Sequence, residues 1–202
     1  MTRTEKSEET RLNQGDILQN IECIESVQEK DGIITVSKIA FPLVIVLTQD
    51  CDLNSDFKSR EKNKTKTPSD QTIEHDKYLF SVIVAPLYNY DLFRKGEHLL
   101  DLGLKMQTIN SKQKAPLENN ETPRYHYLEF DDSVPIVNSV IDFKHYFTLN
   151  LQNLSELKKS HYVCTVSELF RERISQRFAN FLSRIGLPEL EKSDSAGVAG
   201  GA

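Results

Sequence analysis

The chain has no tryptophan, only three cysteines, and just eight glycines and seven prolines among 202 residues. Without tryptophan, and with aromatics at 8%, it is short of the flat rings on which a sugar-binding platform is built. Cys23, Cys51 and Cys164 are an odd set with no CxxC spacing. That excludes a disulfide scaffold or a zinc ribbon and fits a reduced, cytoplasmic protein. A basic excess is also missing: 25 Lys and Arg stand against 30 Asp and Glu, for a net charge of −5. Any nucleic-acid contact must therefore come from a local patch. The longest apolar run falls far short of the roughly 20 residues that span a bilayer. The opening MTRTEKSEETRLNQ has no apolar core of a signal peptide, so no membrane partner is expected.

What is present is enough apolar material, 38% of residues, for one core. Its sharpest feature is FPLVIVLTQDCDL, Phe41 to Leu53, where an apolar run stops abruptly in a polar cluster. The run reads as a strand buried on both faces. Tyr78 to Leu87 reads as a second strand of that kind. Leu43, Ile45, Val46, Val82 and Val84 are expected among the least accessible residues. Upstream, Ile17 to Val27 is expected as a strand, with Ile17, Ile21, Cys23 and Val27 on one parity. Ile33 to Ile39 is its return, and Asp31-Gly32 between them is a hairpin signal.

Residues 1–13 are polar and expected to fray. Residues 54–76 and 110–123 read as mobile loops. Tyr90 to Leu100 shows a turn or two of helix, broken at Gly96. Further strands are expected at Arg124–Phe130, Phe143–Leu149 and Tyr162–Val166. From Glu168 to Ile185, Phe170, Ile174, Phe178, Phe181, Leu182 and Ile185 recur at helical spacing and make one apolar stripe. Ser167 suits its N-cap, and Gly186 and Pro188 suit its end. Residues 14–188 thus read as one barrel-like domain and 189–202 as a flexible tail. The fold class is mainly β (α+β), a small antiparallel SH3-like barrel or curved sheet with a C-terminal amphipathic helix.

Asp50, Cys51 and Asp52 are the candidate catalytic residues. In a strand the two carboxylates project to one side, where they could hold Mg²⁺ or close Asx-turns at the strand end. The turn is the simpler reading, and no metal or other cofactor is expected. Cys51 as a nucleophile would need His126, His145 or His161 beside it. Lys58, Arg60, Lys62, Lys64 and Lys66 alternate along the first loop and could follow a phosphate backbone. On the terminal helix Arg173, Arg177, Asn180 and Arg184 share a narrow sector beside the apolar stripe. There the arginines could pair with carboxylates of another chain or of a second copy.

Gly15-Asp16 opening a strand, Phe41-Pro42 leading the buried strand, Thr48 to Asp50 at its end, and Ala85-Pro86 closing the next strand together resemble the PemK/MazF-type barrel. The resemblance covers roughly residues 14–90. It implies an SH3-like antiparallel barrel of the kind found in messenger-RNA endonuclease toxins. The family's catalytic arginine precedes the proline of the buried strand, where this chain has Phe41. The catalytic threonine or serine follows the second proline, where Leu87 and Tyr88 stand. The second half resembles uncharacterised bacterial proteins of mobile and phage-defence gene clusters. The expected function is a non-catalytic interaction subunit of a bacterial multi-protein assembly, of the phage-defence or toxin–antitoxin type. An RNA endonuclease with relocated catalytic residues is the alternative.

Overall fold

The structure is a computed structural model that describes residues 1–7, 9–67 and 75–184. Its centre is a curled antiparallel sheet built from β1 (Thr4–Glu5), β2 (Asp16–Lys30), β3 (Ile33–Val46), β4 (Ser81–Asn89), β5 (Tyr125–Leu128), β6 (Ser139–Asp142), β7 (Phe147–Asn150) and β8 (Tyr162–Val166). The strand order is β1-β8-β2-β3-β4-β6-β5, and β7 also pairs with β4. Among the described residues five helices accompany it: α1 (Asp50–Lys64), α2 (Tyr90–Lys95), α3 (Ser111–Glu118), α4 (Leu151–His161) and α5 (Glu168–Leu182). The α+β class with a curved antiparallel sheet and a terminal amphipathic helix is as expected. No helix among the described residues is long and apolar enough to cross a membrane.

Both faces of the sheet are covered, which is why its central strands are apolar throughout. On one face Ile17, Ile45, Ala85, Leu128, Ile141 and Phe143 pack with Ile174, Phe178 and Phe181 of α5. On the other, Leu18, Val44, Val46, Val82 and Val84 pack with Leu53 of α1 and Leu151 and Leu154 of α4. Ile45, Val46, Val82 and Val84 are fully buried, as their run of β-branched residues suggests, whereas Leu43 is only half-buried. A third cluster seats Phe93 of α2 and Leu117 of α3 on Tyr88 and Val140.

The hairpin turns at Asp31-Gly32, both at positive φ (52° and 76°), as a two-residue primed turn requires. β3 runs unbroken through Pro42, because Pro42 falls at a gap in the ladder between Leu43↔Gln19 and Phe41↔Ile21. Opposite that gap Asn20 adopts φ 53°. Beyond it the parity changes: Ile21 joins Leu18 in the same core cluster, although Ile17 lies on the other face. A bulge between Ile24 and Ser26 shifts the alternation again, so Val27 and Cys23 lie on opposite faces. The single parity expected for Ile17, Ile21, Cys23 and Val27 is thereby corrected.

The described residues among 1–13 are tied to the body of the protein rather than frayed. β1 pairs with β8, Thr2 is buried and its N–H donates to the Glu129 carbonyl at 2.6 Å, and Leu12 and Asn13 are buried. The loop expected at 54–76 is helical to Lys64, with 68–74 outside the described residues. Likewise 110–123 contains α3, started by a capping box of Asn110 and Gln113. The expected strand at Phe143–Leu149 begins as a 3₁₀ turn, Phe143–His145, before β7. The break at Gly96 is a helix C-terminus in the left-handed region (φ 73°). There a Cβ would stand 2.2 Å from the Met106 carbonyl oxygen, so only glycine fits. The α5 stripe is present through Leu182; Ile185, Gly186, Pro188 and the tail lie outside the described residues.

Candidate functional site

The Asp50-Cys51-Asp52 cluster lies in the first turn of α1, not at a strand end. Helical geometry separates Asp50 and Asp52 by about 200° around the axis, so they do not share a side. Asp50 accepts a bidentate pair from Arg11, both contacts 3.1 Å, and the Gln14 N–H at 3.3 Å. Asp50 is buried enough to resist ionisation, yet the hydrogen bonds and charge of Arg11 prevail and hold its carboxyl below the usual range. It clamps the N-terminal segment to the start of α1. Cys51 is exposed, with Gln49 and Asp52 as polar neighbours at 3.6 and 3.7 Å. The three candidate histidines are elsewhere. His126 packs against Phe143, His145 bonds Tyr88, and His161 bonds the Gln19 carbonyl.

The helix α1 also redistributes the lysine run. Lys58 and Lys62 share a face of the helix, and Lys66, just past its end, stands on the same side. With Lys77, Ser59 and Asn54 they line a groove of about 250 Å³. Arg60 is on the opposite side and engaged. It donates through Nε to buried Asp56 at 2.8 Å and through Nη2 to the Leu79 carbonyl at 2.9 Å, and stacks on Tyr78. Lys64 pairs with Glu61. The alternating phosphate track therefore does not exist as such; three of its five members share a side. Acidic residues in the first turn, basic ones in the last and the Asp56–Arg60 pair were the available signs of a helix here.

The arginines of α5 divide similarly. Arg177 donates to the carbonyls of Thr122 and Tyr125 at 2.7 and 2.9 Å, an internal tie between α5 and the start of β5. Arg184 covers the Phe181 ring and bonds the Phe181 carbonyl. Arg173 is exposed. Since Ile174, Phe178 and Phe181 are buried in the protein's own core, the stripe offers no wide apolar face to another chain.

Two features were not anticipated. The first is a polar cluster at the end of β6. Buried Asp142 accepts Arg124 through Nε (2.8 Å) and Nη2 (2.5 Å), and its Oδ2 is 3.6 Å from His145 Nε2. His145 Nδ1 shares a 3.0 Å hydrogen bond with the Tyr88 hydroxyl, and the His98 ring packs, tilted, against Tyr88 and Phe93. Burial lowers the pKa of His145, and lowers that of His98 to about 4. His126, buried in the core, falls to about 3 for the same reason. Both low values lie below the ordinary 6.5, so the fold favours the neutral rings. The associated stability is complete above pH 6.5 and is lost as the pH falls toward 4. Urea unfolding is expected to show this acid loss, at up to about 1.4 kcal/mol per pH unit for each ring, and His126→Leu is expected to flatten it. A pH-independent midpoint from 7 to 4 would contradict this account.

The second feature is the outer half of the β2–β3 hairpin. β2 pairs with β8 only through Asp16–Leu18, and β3 pairs with β4 only through Val44–Val46. From Ile21 to Phe41 the two strands pair only with each other among the described residues, forming a two-stranded arm. Ile34, Val36, Lys38 and Ala40 alternate onto one face, opposite Glu29, Val27, Ile24 and Glu22. Ile24, Val27, Ile34 and Val36 are 60, 60, 66 and 45% exposed. Comparison with protein-family models and with curated proteins finds no match for the chain.

Proposed function

We propose that the protein is a non-catalytic interaction subunit of a multi-protein assembly, and that the β2–β3 arm is its contact surface. One observation carries this reading: four branched aliphatic side chains share a face of the arm with no other element among the described residues over them. An isolated two-stranded ribbon is marginal in water, and contiguous exposed apolar surface marks interaction sites. The setting in phage defence or toxin–antitoxin action rests on the sequence resemblance alone. A variant with Ile24, Val27, Ile34 and Val36 all replaced by Thr keeps the β-branching that suits a strand. It is expected to retain the melting temperature while losing assembly, measured by size in solution alone and with the products of adjacent genes. Assembly equal to wild type would remove the arm from the interface.

A second reading, an RNA endonuclease with relocated catalytic groups, is favoured by the Arg124–Asp142–His145–Tyr88 cluster. In-line cleavage needs a base for the 2′-hydroxyl and a cation near the phosphorane. His145, kept neutral by burial, and Arg124 are of those types. Incubation with single-stranded RNA, with and without Mg²⁺, separates the readings. Defined fragments that vanish in His145→Ala would support cleavage, and intact RNA would leave the interaction reading.

A further inference from the structure

We infer that the occupant of the arm is a second copy of the same chain, packed face to face with reversed strand direction. This inference rests on the arm being the interface proposed above, and adds who binds it and in what register.

The arm is amphipathic where nothing described lies beside it. Its opposite face carries Cys23 and Ile39 near the body, then Ser26, Gln28 and Lys30 beside Ser37, Thr35 and Ile33; the first part of it, Cys23, Ile39, Ser26 and Ser37, is half-buried, and the rest is exposed. The aliphatic face has the alternation of a core strand yet no core of its own. Its pattern is also self-complementary. The Val27↔Val36 pair lies at the centre, flanked on the turn side by Glu29↔Ile34 and on the body side by Ile24↔Lys38. A two-fold axis through the central pair, lying between the faces and across the strands, sets each valine against its own counterpart. It also sets Glu29 over Ile24 and next to Lys38 of the second copy, twice by symmetry. Valine meets valine at the centre, while at each end Glu29 lies over Ile24 and Lys38 over Ile34, which brings Glu29 and Lys38 of the two copies diagonally together. Lys38 is bonded within its own chain to Glu22 at 2.8 Å, which leaves it between two carboxylates in the dimer.

The charges also argue against the edge-to-edge alternative along β2. Glu22, Glu25 and Glu29 fall within eight residues of that strand, and two such edges laid together would oppose acid to acid. Across the face, by contrast, the charges brought together are of opposite sign. An interface built on four aliphatic side chains per copy is well below the standard size, so the dimer is expected to be concentration-dependent.

Sedimentation of the full chain over a wide concentration range tests this. Wild type is expected to pass from monomer to dimer, and Val36→Glu to weaken the dimer by at least about tenfold. Glu29→Lys and Lys38→Glu should each weaken self-association, since each faces like charges across the axis. Mixed one to one, those two variants should form a mixed dimer, because the two cations on one copy then meet the two carboxylates on the other. That rescue is specific to the reversed register. A wild type monomeric throughout, while the four-Thr variant still loses assembly with adjacent-gene products, would overturn the second copy but keep the arm as an interface. A monomer with no arm-dependent assembly at all would overturn both. Dimerisation unaffected by Val36→Glu would place the contact elsewhere and overturn the inference.

Discussion

Lys158→Ala is expected to destabilise the protein by about 3–5 kcal/mol, the scale for removing one member of a buried ion pair. Lys158 Nζ lies 2.9 Å from Asp16 Oδ2 and donates to the Arg11 carbonyl at 2.5 Å. Asp16 is fully buried. Its other contacts, the Thr165 hydroxyl at 2.6 Å and the Asn13 N–H at 2.7 Å, are neutral. Without Lys158 an uncompensated carboxylate would sit where β2, β8 and α4 meet. Burial already raises the pKa of Asp16 against the opposing pull of Lys158, and losing the cation raises it further. A carboxyl whose folded pKa exceeds its unfolded value favours folding most at low pH, and loses that advantage as the pH rises. The deficit of Lys158→Ala should therefore be largest near neutrality and shrink toward pH 4. Asp16→Asn combined with Lys158→Met should recover most of it, since an apolar replacement of both charges is often neutral. Urea midpoints across pH test this. An equal deficit at pH 7 and pH 4 would show that Lys158 matters only through its packing.

Phe143→Ala is expected to cost about 3–5 kcal/mol, the range for a fully buried phenylalanine. Phe143 has no exposure, and its ring centroid lies 5.5 Å from Phe178 and 5.9 Å from Phe181. It joins the sheet to α5, so its loss leaves a cavity and loosens that helix first. Amide exchange should rise more in α5 than in Val44, Val46, Val82 and Val84, whose side chains pack with α1 and α4. Equal protection loss throughout would mean that α5 and the central sheet open as one unit.

The sequence by itself determined the elements whose cause is local. The double-sided burial of Val44–Val46 and Val82–Val84 follows from unbroken β-branched runs. The turn at Asp31-Gly32 and the helix end at Gly96 follow from positive φ, and α5 from a 3.6-residue apolar period. Only the tertiary structure decided the rest. Helix α1 has just Leu53 and Phe57 as large apolar residues, and besides buried Leu53 it is held by Asp56 and Arg60 gripping the chain at Leu79. That stretch of chain lies 19 residues beyond Arg60 and 23 beyond Asp56 and leaves no period to read. For the same reason Arg177 became an internal tie, since the carbonyls it binds, of Thr122 and Tyr125, lie at the start of β5. The cluster brings Tyr88 and Arg124, from segments that chain distance keeps apart, to the local Asp142–His145 pair. The exposed arm was hidden for a different reason. Its alternation is that of a core strand, and only the points where β8 and β4 stop pairing decide that no described strand stands beside it.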